Sequence, residues 1–379
     1  MILEDSGPAS SALAETVSTP DALSGDVHAR IAAWLLVGGA QVRVGVHSGG
    51  VAGALDADGR AHYLYPEITG YYLQWLASLA TRTSRGEALT EPAEAAQRWL
   101  AATIAEDDAP PSRVYLRGEN SDWRNSAIFC FDLAMALRGL AAATAQRLID
   151  ADPKLVAAVC VWLGRLIASD GEFDACLVVS RGAAVPDRWS TRRGPFLAKA
   201  ASGMIVASTQ LPIPDRILRA AKATLAASLQ RAQQMPHDDT HAFLYTIEGV
   251  LAAGDDPQAR AVLPMLARQF ASLLERADAT GYVPESATDS GVIRLDVIAQ
   301  ALRVATRLVV AEVGQRRPVL DRLEQTLIAN VQENGALPFA ARREPTPWSV
   351  WAAMFSEQAL AWRQRVDLGA AASFDPYLV

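Results

Sequence analysis

Apolar residues recur at three- and four-residue spacing along nearly the whole chain, which is the helical period. The segments that carry this recurrence are of two kinds. Residues 91–104, 214–234, 256–277 and 318–331 each keep one polar face, as expected of a helix with one side in water. A second kind is apolar on most sides, as expected of a helix packed on both flanks and behind. Six helices of this kind are predicted, beginning near Tyr65, Asp122, Arg193, His237, Arg294 and Trp348. Further helices are predicted over 26–36 and 144–168, with Pro153 near the start of the latter. Strand signals are confined to 41–46 and 177–180, and 46–50 reads as a Gly-rich loop ending at Asp58-Gly59.

The two kinds alternate, and the apolar starts lie roughly 45 to 70 residues apart, the size of a helical hairpin with its loops. Six hairpins side by side either stay open or close into a ring. No polar capping unit stands at either end of the chain, so closure is expected. The predicted fold is all-α, an (α/α)6 toroid with six parallel inner helices inside an outer ring. Its expected bounds are 26–365, with 1–25 a disordered lead-in and 366–379 a C-terminal tail.

The apolar helices carry polar stripes. Glu67, Tyr71, Gln74 and Ser78 share one face, as do His241, Tyr245 and Glu248, and Asp296, Gln300, Arg303 and Arg307. Asn125 and Asp132, Arg192 with Phe196 and Lys199, and Trp351 with Phe355, Gln358 and Trp362 form further stripes. Burying such groups unpaired costs on the order of 1–3 kcal/mol each. A water-filled lumen lined by the stripes is therefore expected.

Parallel inner helices bring their N-terminal ends, and their positive dipoles, to one mouth. Acids, bases and tryptophans gather at these ends, the usual look of a carbohydrate site. For acid/base chemistry, one carboxyl must stay protonated while another is ionised. Asp239 and Asp122 are the first candidates for that pair, with Glu67 third and His241 placed to orient or relay protons. Tyr71, Arg124, Asp238, Tyr245 and Asp296 are expected to contact substrate. Arg193 and Arg294 would meet a uronate or phosphate, and Trp348 and Trp351 would stack on a sugar face. Capping alone also accounts for Asp122, Asp238 and Asp239 taken singly.

Composition narrows the partners. A net charge of −7 over 379 residues disfavours nucleic acid or an anionic membrane, both of which select basic surfaces. No apolar run reaches transmembrane length, and 1–25 lacks the basic start and apolar core of a signal peptide. Cys130, Cys160 and Cys176 lack metal spacing, and three unpaired cysteines fit a reducing, cytoplasmic setting. His237 and His241 share a helical face but have no third ligand in view, so no metal is expected. The His47-Ser48-Gly49-Gly50 turn lacks the lysine of a phosphate loop, and no cofactor is expected. The expected partner is a small-molecule or oligosaccharide substrate, with oligomeric state left open.

Several stretches resemble six-hairpin-glycosidase-like proteins of bacterial polysaccharide gene clusters. They are Tyr65-Pro66-Glu67-Ile68-Thr69-Gly70-Tyr71, Thr240-His241, Arg294-Leu295-Asp296-Val297 with Gln300, and Trp351-Ala352-Ala353-Met354-Phe355 with Gln358-Ala359-Leu360. The resemblance spans roughly residues 26–365 and implies the toroid and a sugar-active class of glycosidases, uronyl hydrolases, lyases or epimerases. N-acylglucosamine 2-epimerases of this fold use a late pair of histidines, whereas no histidine follows His241 here. His237-Asp238-Asp239-Thr240 also partly resembles the acid motif of class II terpene cyclases, with Pro236 where that motif begins with Asp. The expectation is a carbohydrate-active enzyme; a biosynthetic cyclase, epimerase or dehydratase, or a non-catalytic glycan- or peptide-binding toroid, stands as the alternative.

Overall fold

The computed structural model describes residues 26–83, 86–118, 122–234, 239–280, 282–286, 292–311, 313–314, 318–341, 346–367 and Tyr377. Twelve α-helices run through these residues: α1 Val27–Val37, α2 Pro66–Ala80, α3 Gly86–Thr103, α4 Cys130–Ala145, α5 Pro153–Arg165, α6 Leu197–Ala207, α7 Asp215–Gln234, α8 Thr240–Ala253, α9 Pro257–Thr280, α10 Leu295–Val310, α11 Pro318–Asn330 and α12 Val350–Asp367. The even-numbered helices form the inner ring. Each packs on the next, from α2 through α4, α6, α8 and α10 to α12, and α12 returns to α2. Odd-numbered helices lie outside, so the fold is the (α/α)6 toroid.

The helix ends follow local chemistry. Asp26 and Asp152 cap α1 and α5 by accepting from the His28 and Lys154 backbone N–H groups, and Pro66 and Pro153 occupy the first turn, where a missing N–H costs nothing. The inner helices bury residues on every side: α2 is buried from Ile68 to Leu79 and α10 from Leu295 to Leu308. This is the reason their apolar pattern lacks a wet face.

Short strands collar the mouth. β1 (Ala52–Leu55), β2 (Ala61–Leu64), β3 (Val114–Tyr115) and β8 (Trp348–Ser349) form one antiparallel sheet in the order β3-β2-β1-β8. β4 (Ala127–Phe129) pairs with β5 (Cys176–Val178), and β6 (Ile293–Arg294) with β7 (Ala340–Ala341). β4, β6 and β8 run directly into α4, α10 and α12, so pairing in the collar fixes where those inner helices begin.

Three local expectations are corrected. Residues 41–46 contribute only a bridge from Gln41 to Val51, while the Gly-rich loop leads into the β1–β2 hairpin. The helix expected from Trp123 begins at Cys130, after a 3-10 turn over Trp123–Ser126 and strand β4. The polar stripes do not face water: Gln74, Ser78, Lys199, Glu248, Gln300, Arg303 and Gln358 are all at 0% exposure. Lys199, Glu248, Gln300, Arg303, Gln358 and Ser78 bond to one another instead, as a buried ion and amide network beneath the mouth, whereas the Gln74 amide has no hydrogen-bond partner among the described residues.

Candidate active site

Two carboxyls come together at the mouth. Glu67 lies in the first turn of α2 and Asp132 in the first turn of α4, on neighbouring inner helices. Tyr65, Ser112 and Arg113 surround them. Burial, and then the charge of Glu67, push Asp132 well above the ordinary carboxylate range. Burial also raises Glu67, with Tyr65, Lys199 and Arg113 pulling the other way. Two like charges this close disfavour ionisation of both, which adds to burial in raising Asp132.

Asp122, beside them, behaves differently. Its Oδ2 accepts from Arg113 Nη1 at 2.9 Å and Tyr115 Oη at 2.7 Å, and its Oδ1 from Arg124 N at 3.0 Å and Arg124 Nη1 at 3.1 Å. Burial pushes its pKa up, but the Arg124 backbone N–H, Tyr115 and Arg113 outweigh that and hold it below the usual range. Asp122 is thus an ionised clamp. It aligns Arg113 over the Tyr63 ring at 4.2 Å and Arg124 over Trp123 at 4.7 Å.

Across the ring, α8, α10 and α12 supply a second cluster. Asp296, fully buried, accepts from Arg294 Nη2 at 2.6 Å and Nε at 3.1 Å, and from Trp351 Nε1 at 3.0 Å. Arg294 also binds Glu285 at 2.9 Å. Burial opposes ionisation of Asp296, yet the charge of Arg294 and the hydrogen bonds from Arg294 and Trp351 hold its pKa low. His241 lies over Tyr245 with ring centroids 4.3 Å apart, and burial followed by Arg294 lowers its pKa.

An aromatic floor joins the clusters. Phe131 stands 4.9 Å from Tyr245 and 6.1 Å from Phe196, and Trp189 packs at 5.0 Å on Phe196 and 6.0 Å from His241. Under the floor lies Lys199, its Nζ 4.4 Å from the Tyr245 ring centroid and 4.8 Å from that of Tyr71. Lys199 Nζ binds Glu248 at 2.8 Å, and Arg303 binds the other oxygen of Glu248 at 2.6 Å. Burial pulls Lys199 down to about 7 against the attraction of Glu248.

The remaining sequence-predicted residues sit apart from the carboxyl pair. Asp239 caps α8, its Oδ1 accepting from Ala242 N at 2.9 Å, and its backbone bridges to Ser286. Arg193 is held by Asp174 at 2.8 Å and Asp170 at 2.5 Å, in the loop beside β5. Trp348 stands edge-on to Trp34 at 6.2 Å. Asp238 and His237 lie outside the described residues. Among those described, no group of three or more His, Cys, Asp or Glu side chains is arranged to hold a metal ion, and no helix is long and apolar enough to cross a membrane.

Asp132 and Lys199 lie on the polar stripes of the sequence without a role assigned to either, and Phe131 lies on none of them. The signal for Asp132 is its place as the lone charge in the apolar run from Ala127 to Leu137. Trp189 opens a short 3-10 turn and Arg113 sits in a loop, where no helical period brings them to the mouth.

No family model and no curated protein matches the chain. Solved structures do. Cellobiose 2-epimerase from Spirochaeta thermophila superposes with a TM-score of 0.62 at 14% identity, covering 93% of this chain and 99% of the epimerase. A sugar epimerase from a ruminal bacterium gives 0.61 at 12% identity over 92% and 98%. An unsaturated glucuronyl hydrolase specific for heparin gives 0.57 at 10% identity over 90% and 98%. At these identities the likeness is one of fold: the chain shares the (α/α)6 toroid of enzymes that epimerise sugars and of enzymes that hydrolyse them.

Proposed function

We propose that the protein is a carbohydrate-active enzyme that works by carboxyl acid/base chemistry at the toroid mouth. The observation that carries this is the Glu67–Asp132 pair. Asp132 is the protonated partner and donates to an oxygen of the bound saccharide. Glu67 is the ionised partner and takes a proton from the attacking or exchanging group. The acid role expected of Asp122 passes to Asp132, because a carboxylate clamped by two arginines keeps no proton to give. Trp189, Phe131, Tyr245 and Trp351 present flat apolar faces that suit the C–H faces of a pyranose ring. Asp239, Arg124 and Arg294 form the polar rim, with Asp296 buried behind Arg294. The company of saccharide-active toroids supports the substrate class.

The test is turnover of a panel of oligosaccharides, with products separated chromatographically, by the wild type and by Glu67→Gln and Asp132→Asn. Both variants should lose at least about a hundredfold in rate, the scale of a lost general acid or base, with helicity unchanged. Full turnover by both sinks the assignment.

A further inference from the structure

Gln300, fully buried on α10, touches two groups of different character. Its Nε2 donates to Glu248 Oε2 at 3.1 Å, and its Oε1 lies 2.8 Å from His241 Nδ1. An ionised carboxylate only accepts hydrogen bonds. Glu248 is kept ionised by two cations, Lys199 at 2.8 Å and Arg303 at 2.6 Å, all three side chains at 0% exposure. Turning the Gln300 amide over would set its oxygen against that carboxylate, two acceptors facing each other in a dry site. The amide NH2 therefore faces Glu248 and the amide oxygen faces His241. That oxygen can only accept, so His241 Nδ1 carries the hydrogen. In the neutral ring Nε2 then bears the lone pair, and it has no hydrogen-bond partner among the described residues.

We propose that Glu248 and Gln300 are positioning residues that fix His241 as the Nδ1–H tautomer, leaving Nε2 as a proton acceptor three inner helices around the ring from Glu67. This rests on the reading of the mouth as a substrate site. It adds a second proton-transfer group on the opposite wall from the carboxyl pair. A saccharide on the floor between them meets a donor on one side and a base on the other. The groups facing the imidazole are Tyr245, Trp189, Asp239, Asp296, Arg294 and Gln300. Burial, and then Arg294, lowers the pKa of the ring, against Asp296 and Asp239.

The imidazole nitrogens report the tautomer directly. In protein labelled with 15N-histidine, two-bond proton–nitrogen correlation spectra at neutral pH distinguish Nδ1–H from Nε2–H, and His241→Gln assigns the signal. The wild type should show the Nδ1–H pattern, and Gln300→Leu should lose it in favour of Nε2–H. Where Gln300→Leu fails to fold, Glu248→Gln serves: without the carboxylate the amide is free to turn, and the Nδ1–H pattern should give way to a mixture. A wild-type Nε2–H pattern, or an Nδ1–H pattern that persists in whichever variant folds, overturns the proposal. The measurement uses no substrate, so its failure leaves the Glu67–Asp132 assignment standing. Retained turnover in the carboxyl variants would sink that assignment and not this one.

Discussion

Gly70 on α2 and Gly139 on α4 pack backbone to backbone: a Cβ on Gly139 would stand 2.3 Å from the Gly70 carbonyl oxygen, and one on Gly70 2.5 Å from that of Met135. This close approach draws two inner helices together just below the mouth. Glu67 lies three residues before Gly70 and Asp132 seven before Gly139, so the same contact sets the carboxyl pair. Gly249 does likewise for α6 and α8, where a Cβ would meet Lys199 N at 2.3 Å, one residue on from Glu248.

Gly70→Ala has only backbone to displace. It should destabilise the fold by about 1–3 kcal/mol, the cost of overpacking a close-packed interior, and splay the carboxyls. Denaturant melts measure the first effect. A stability equal to that of the wild type would mean the helices are not in contact there.

The carboxyl pair costs stability where it is ionised. Asp132 is raised in the folded state, so the folded protein holds its proton over a pH range in which the unfolded chain has lost it. The contribution is fully present below the unfolded carboxylate range near 3.8 and is lost as pH rises toward the folded pKa. Asp132→Asn removes the penalty. Its melting temperature at neutral pH should lie above that of the wild type even as turnover is lost, and a lower melting temperature would argue that Asp132 is a satisfied structural carboxylate.

Glu357 on α12 has the opposite sign. It accepts from Trp75 Nε1 at 2.9 Å and from both Arg82 terminal nitrogens at 2.8 and 2.9 Å, tying α12 to the end of α2 where the ring closes. Burial pushes its pKa up, but Arg82, His28 and Trp75 bring it down to about 2 from the ordinary 4.5. Its contribution, about 3 kcal/mol at the conversion of one pKa unit to 1.36 kcal/mol, is present above pH 4.5 and lost as pH falls toward 2. Glu357→Gln should lower stability by that order at neutral pH and flatten the acid limb of the stability curve, as pH-dependent melts would show.

Breaking the Lys199–Glu248 bond from one side should cost more than removing both partners. Lys199→Met leaves Glu248 with Arg303 as its remaining cation in a dry interior and should cost about 3–5 kcal/mol, with Glu248→Gln in the same chain recovering part of it. A double-mutant cycle measures the coupling, and additive losses would show that the two charges act independently.

The toroid was legible because its cause is periodic. Helices such as α2 and α10 are packed all round, and their lack of a wet face is written in the order of residues. The stripe of Asp296, Gln300 and Arg303 was legible too, but its meaning was not. A sequence shows that polar residues share a face; it does not show that Lys199 and Arg303 arrive from neighbouring helices to neutralise Glu248. Water seemed necessary to satisfy the stripes, and ion pairing across the ring does so for Glu248, Lys199 and Arg303. Asp122 misled for a related reason. Its value as an acid depended on Arg113, nine residues earlier and brought alongside by the collar, which holds it ionised. Glu67 and Asp132 lie sixty-five residues apart in the chain, and only the helix contact at Gly70 and Gly139 makes them a pair.

The most direct test of the central claim is the protonation state of that pair. Among the described residues, Glu67 and Asp132 are the carboxyls whose pKa stands raised once nearby charges and hydrogen bonds are set against burial. Infrared spectroscopy of the wild type at neutral pH should show the carbonyl stretch of a protonated carboxylic acid, and Asp132→Asn should abolish it while far-ultraviolet circular dichroism stays the same. A wild type without that band, or a band that survives in both Asp132→Asn and Glu67→Gln, would contradict the account.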